Sequence, residues 1–173
     1  MVEKIPYRLH WAVERLGLSG DEAILEIGCG RAVAVSLICP LLQGGTITAI
    51  DRSATAIKTA RERNEAFAAS GKAVFHEAAI EEFDGKAGTF DVIFAVNVNL
   101  FWLDAERGLE AVRRLLAKDG RLFLFYEAPS PGQSAKIAIT LPGKLAENGF
   151  EAVETDEAQR SNLIAVVARP TKR

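Results

Sequence analysis

AILEIGCGRAVAV, residues 23–35, sets four apolar residues around one acid, then glycine, cysteine, glycine, and then apolar residues at helical spacing. A short apolar run that stops at a glycine predicts a strand over 23–27, buried on both faces, that meets a helix through a sharp turn. Gly28 and Gly30 remove side chains where the backbone turns and where it comes close to whatever lies beside it. Strands buried on both faces belong to parallel sheets. Ligands of such sheets sit beyond the carboxyl ends of the strands, where strand order reverses. The stretch therefore decides both the fold and the place of the site.

Outward from it the pattern alternates. Helix is expected over 6–17, 31–43, 53–69, 104–118 and 142–148, and strand over 23–27, 46–50, 73–76, 90–96, 121–127, 150–155 and 162–168. Ser53 and Asp104 suit helix N-caps, and Gly44, Gly71 and Gly149 suit helix ends. Pro40 is expected to kink or end the 31–43 helix, because it removes a backbone hydrogen bond. Residues 128–141 read as a Pro/Gly-rich connection. "ILEI", "VIFAV" and "LFLF" are continuous apolar runs, which calls for a mostly parallel sheet between helices, an α/β sandwich of three layers.

The chain has 173 residues, 49% of them hydrophobic, enough for one ordinary core. A single domain over 1–173 is expected, with residues 1–19 as a helical cap on a 20–173 core. Lys plus Arg number 21 against 23 Asp plus Glu, so no charge excess favours nucleic acid, and none is expected as partner. Cys29 and Cys39 have no histidine cluster beside them and suggest neither a disulfide framework nor zinc. No segment reaches the ~18 apolar residues of a membrane span. A soluble, cytoplasmic protein, monomer or homodimer, is the expectation.

Asp51 follows the apolar run "TITAI" and lies 23 residues after Gly28. That is close to the spacing at which a carboxylate accepts hydrogen bonds from both ribose hydroxyls of an adenosine. A dinucleotide site wants a third glycine for close helix packing, and Val33 stands in that place. Glu26, just before the glycines, is an odd neighbour for a pyrophosphate but suits a cofactor with a cationic middle.

At this point the chain resembles the class I S-adenosylmethionine-dependent methyltransferases, whose first motif is an acid followed by spaced glycines after the first strand. "LEIGCGRA" matches that motif with alanine in the last glycine place. "AIDRS" is similar to the ribose-binding segment, "FDVIFAVNVNLFW" to the fourth strand, and "VRRLLAKDGRLFLF" to the helix, turn and fifth strand. The resemblance covers residues 20–127 and implies a Rossmann-like, seven-stranded sheet with an antiparallel C-terminal strand. It implies S-adenosylmethionine as cofactor, held by Glu26, Gly28, Cys29, Gly30, Asp51, Arg52 and Asn97. The family's adenine-binding acid is replaced by Ala78, so either Glu77 substitutes or backbone near Ala78 and Ala79 reads the base.

Methyl transfer from a sulfonium needs little machinery beyond in-line positioning, which can be worth effective molarities of ~10⁵ M or more. His10, on the first helix, and Asn97, after the fourth strand, are the candidate catalytic residues. His76 ends a strand and reads as structural, and Cys29 as a small packing residue. Tyr7, Trp11, Phe101, Trp102, Tyr126 and Glu127 are candidates for contact with a small-molecule substrate. "NVNLF" lacks the paired prolines of the branch that methylates planar amino groups, and the acids of the metal-dependent branch are missing, so no metal is expected. Two other readings stay open: a noncatalytic S-adenosylmethionine-binding module, and a nicotinamide-dependent oxidoreductase, against which Val33 and Glu26 both count.

Overall fold

The computed structural model describes residues 4–99, 105–158 and 161–172. Seven strands, β1 (Ala23–Ile27), β2 (Thr46–Asp51), β3 (Ala73–Glu77), β4 (Phe90–Val96), β5 (Leu116–Glu127), β6 (Phe150–Glu157) and β7 (Leu163–Pro170), form one sheet in the order β3-β2-β1-β4-β5-β7-β6. β1 to β5 are parallel, and β7 runs antiparallel to both β5 and β6. The expected mostly parallel sheet with an antiparallel C-terminal strand is therefore present.

The period of two along each strand divides the core into two layers. Ile24, Ile47, Phe94, Phe123 and Phe125 pack on one face against α1 (Tyr7–Leu16), α2 (Val33–Ile38) and α3 (Ala54–Arg63). Leu25, Ile50, Ile93, Leu122 and Leu124 pack on the other against α5 (Ala105–Leu115) and α6 (Pro131–Glu147). A short α4 (Glu65–Ala69) precedes β3. Strand order reverses at β1, whose neighbours are β2 on one side and β4 on the other. That places the crevice at the carboxyl ends of β1 and β4.

Pro40 ends the 31–43 helix early, as expected: α2 stops at Ile38 and gives way to a 3₁₀ turn over Cys39–Leu41 that contains Pro40, while Gly44, expected at the helix end, donates to Asp21 Oδ1. Three further boundaries differ from expectation, each for a local reason. The 53–69 helix is two pieces meeting at Asn64, whose Nδ2 donates to Ala32 O at 3.1 Å and Ala60 O at 3.0 Å. α5 ends at Leu115, and Leu116 already pairs with Phe90 in the sheet. The largest miss is α6, which spans 17 residues where a connection and a short 142–148 helix were expected. Ser130 caps it by accepting from Gln133 N, and Pro131 sits at a first-turn position where a missing N–H costs nothing. Asp104, expected as an N-cap, lies outside the described residues.

Candidate functional site

Gly28 leaves β1 at φ +67°, and a Cβ there would lie 2.8 Å from Val98 Cγ2 at the end of β4. Both the left-handed backbone and the close approach require glycine. Gly30 is also left-handed, at φ +53°, but a Cβ there would meet nothing within 4 Å, so this part of the loop faces open space. Cys29 N donates to Ile50 O at 3.0 Å and Ala32 N to Cys29 O at 2.8 Å, which ties the loop to β2 and closes it on itself. Ala32 is left-handed without being glycine, at φ +53°. The buried Asn64 bonds to its carbonyl and so helps hold that conformation.

Asp51 closes β2, and its carboxylate spans the turn. Oδ2 accepts from Gly30 N at 2.9 Å and Oδ1 from Ser53 N at 2.9 Å. Glu26, one residue before the end of β1, is only 4% exposed, and its Oε2 has no hydrogen-bond partner. Burial, with a smaller contribution from the charge of Asp51, pushes its carboxyl up to about 8. The Cys29 thiol is also pushed far above its ordinary value, by burial and then by Glu26 and Asp51, which fits a packing residue and not a nucleophile. Asn97 directly follows β4 at φ +55°, donates its N–H to Phe125 O at 2.8 Å, and accepts from Glu127 N at its Oδ1, also at 2.8 Å. Its side chain thus ties the tips of β4 and β5 together.

Two hollows meet over this frame and share Gly28 and Asn97. One, of about 260 Å³, is lined by Asp51, Arg52, Ala78, Ala79, Glu81 and Val98 among others. The second, of about 300 Å³, lies under the start of α1 and is lined by Glu26, Cys29 and Arg31 with Lys4, Arg8 and Leu9. Together they make one groove across the strand-order reversal, with a carboxyl side chain on each side of a glycine ridge. The groove fits an adenosine-bearing cation: Asp51 can take a ribose diol, Glu26 Oε2 is a buried acceptor without a partner, and Gly28 leaves the ridge bare.

The structure brings together Glu26, Gly28, Cys29, Asp51, Arg52, Ala78, Ala79 and Asn97 along this groove, with Gly30 on the loop above it. Ala78 N is committed to Asp51 O at 3.0 Å. Glu77 and His10 are exposed and line neither hollow. Trp11 is 5% exposed and packs edge-on against Phe125, with ring centroids 5.8 Å apart. With the exposed Tyr7 it borders a separate hollow of about 660 Å³ on the far side of α1. Tyr126 is buried and its hydroxyl donates to Val98 O at 3.2 Å, while Glu127 accepts from Arg8 Nη1 at 3.1 Å. Phe101 and Trp102 lie outside the described residues. Lys4, Arg8, Arg31, Asn64 and Val98 were not anticipated from the sequence. Among the described residues, no three His, Cys, Asp or Glu side chains gather to hold a metal ion.

A family model described as a methyltransferase domain matches residues 25–122, more than half of the chain and all of the groove's glycine loop, Asp51 and Asn97. This chain belongs to that methyltransferase domain family. An uncharacterised protein of Synechococcus sp. is 33% identical to the domain over 109 residues, covering 63% of this chain and 26% of that protein. Trans-aconitate 2-methyltransferase of Paracidovorax citrulli is 28% identical over 170 residues, covering 92% of this chain and 62% of that protein. The domain thus spans about a quarter and about three-fifths of these two relatives. A crystal structure of a SAM-dependent methyltransferase from Aquifex aeolicus superposes with a TM-score of 0.76 at 16% identity, over 92% of this chain and 88% of that one, a likeness of fold.

Proposed function

We propose that this domain transfers a methyl group from S-adenosylmethionine to a small-molecule acceptor. The observation that carries the reading is the single groove over Gly28, with Asp51 on one side and the buried Glu26 on the other. The family to which the chain belongs supports it, as does the name of the Paracidovorax citrulli relative, whose acceptor is a small organic acid.

Asp51 holds the ribose through two hydroxyls, trading its bonds to Gly30 N and Ser53 N for charged hydrogen bonds to the sugar. Gly28 lets the backbone lie against the nucleoside without a side chain between. Glu26 supplies an acceptor for the cationic amino-acid end. When bound, the cofactor supplies an electrophilic methyl on a neutral, good leaving group. What remains for the protein is to hold the acceptor in line and keep water out. Asn97 and Glu127, locked to each other at the tips of β4 and β5, form the wall on which the acceptor is oriented.

Calorimetry with S-adenosylhomocysteine, S-adenosylmethionine and NAD on ligand-free protein tests the cofactor. Saturable binding of the first two and none of the third is expected. No binding of either adenosyl compound by folded protein would end the proposal. Radiolabelled methyl transfer to a metabolite panel then tests the acceptor class.

A further inference from the structure

α3 meets the glycine loop at both of its ends. Ahead of its first turn, Asp51 Oδ2 accepts from Gly30 N and Oδ1 from Ser53 N, and the Ser53 hydroxyl caps the helix by accepting from Ala56 N. Behind its last turn, Asn64 leaves helical geometry and turns its amide back toward the loop. Its Nδ2 donates to Ala32 O at 3.1 Å and to Ala60 O at 3.0 Å. Asn64 is 2% exposed, and its Oδ1 has no hydrogen-bond partner among the described residues. A buried acceptor left unpaired is a cost, and these donated bonds are what the fold gains for it.

The two bonds are not equivalent. Ala60 O already accepts from Asn64 N at 3.1 Å, so the helix end is closed without the side chain. At Ala32 O the backbone bond, from Ser36 N, is long at 3.4 Å. Ala32 needs the hold, because it is an alanine at φ 53° and ψ 45°, a left-handed conformation that its Cβ disfavours. It lies between Arg31 and Val33, both of which line the hollow beneath α1, so a shift of Ala32 carries that wall with it.

The difference between the two ends of α3 matters once a ligand arrives. A ribose that takes Asp51 competes for the oxygen that holds Gly30 N. Asn64 is buried and lines neither hollow, so a ligand in the groove does not compete for its bond. We propose that Asn64 is a positioning residue for the cofactor: its bond to Ala32 O keeps the glycine loop in shape while Asp51 is given over to the ribose. The proposal rests on the S-adenosylmethionine reading.

The test compares the whole chain as wild type, Asn64→Ala, Ala32→Gly and the double variant. In calorimetry with S-adenosylhomocysteine, Asn64→Ala is expected to weaken the ligand about tenfold, through the loss of a bond that shapes the loop. With Ala32→Gly in both members of the comparison, the same change is expected to cost less than about threefold, because glycine takes the left-handed conformation without a hold. A residue that merely closed the helix end would lower the melting temperature equally in both backgrounds and leave the affinity alone. Hydrogen exchange of the amide at position 32, which donates to Cys29 O, reads the loop without ligand. Relative to its intrinsic rate, it is expected to be faster in Asn64→Ala and restored in the double variant. Unchanged affinity in a folded Asn64→Ala variant would overturn the proposal, as would an equal loss of affinity in both backgrounds. So would variants that fail to fold even with Ala32→Gly, since Asn64 would then hold the protein and not the loop. A wild type that binds no S-adenosylhomocysteine ends the functional reading and the positioning of a cofactor with it, while the exchange rates still decide whether Asn64 holds the loop.

Discussion

Glu26 is a carboxyl that folding makes harder to ionise. Its ordinary value of 4.5 rises to about 8 through burial and the nearby Asp51 charge. The unfolded chain therefore releases this proton near pH 4.5, while the folded chain keeps it until about pH 8. The contribution to stability is full below pH 4.5 and is lost progressively as pH rises toward 8, by an amount on the order of a few kcal/mol. Glu26→Gln should remove that part of the slope, so urea midpoints of the variant measured from pH 5 to 8 should fall less than those of the wild type. Equal slopes would show that Glu26 ionises normally. Asp51 is tested through binding instead. Asp51→Ala should weaken S-adenosylhomocysteine by roughly 1 to 3 kcal/mol, because two charged hydrogen bonds are lost. It also frees Gly30 N and Ser53 N, so the melting temperature without ligand must be measured beside the affinity. A folded variant with unchanged affinity removes Asp51 from the site.

Among the elements, what could be read early was what depends on near neighbours in sequence. β1, β4 and the later part of β5 are continuous apolar runs, and each lies in the sheet interior where such runs belong. Gly28, Asp51 and Glu26 were legible for the same reason, since a strand end fixes where the next residues point. α6 was hidden because Pro131, Gly132, Pro142 and Gly143 read as breakers. The helix survives because Leu141 and Leu145 bury against the sheet, and tertiary packing outweighs propensity. Lys4, Arg8 and Val98 reach the groove only through the docking of α1 and the crossing from β3 to β4, which no local pattern reports. The docking of α1 is itself measurable. Trp11 is its anchor, edge-on to Phe125 at 78° between the ring planes, with the Arg15 guanidinium 5.4 Å from its ring centroid and paired to Asp156. Trp11→Ala should cost about 3 to 5 kcal/mol in urea denaturation, the range for deleting a buried large aromatic. A loss under about 1 kcal/mol would show that α1 is not seated on the sheet.

At the scale of the whole molecule, the groove lies where the sheet's two halves meet. β1, β2 and β3 run outward on one side and β4, β5, β7 and β6 on the other, and Gly28 and Asn97, which both hollows share, stand on either side of the β1–β4 junction. Gly28 lies against Val98 across that junction and Asp51 Oδ2 accepts from Gly30 N, contacts between segments far apart in the chain. A ligand bound there bridges both halves and cannot persist when either unfolds, so its binding energy appears in full in the global transition. At a free concentration of 100 times its dissociation constant, that linkage is worth about 2.7 kcal/mol. For a chain of this size it corresponds to a rise in melting temperature of roughly 5 to 10 °C. S-adenosylhomocysteine should produce this shift as one cooperative transition, and NAD at the same concentration should not. If only part of the chain is stabilised, seen as a second transition that does not move with ligand, then the groove does not couple the halves, and the site belongs to one of them alone.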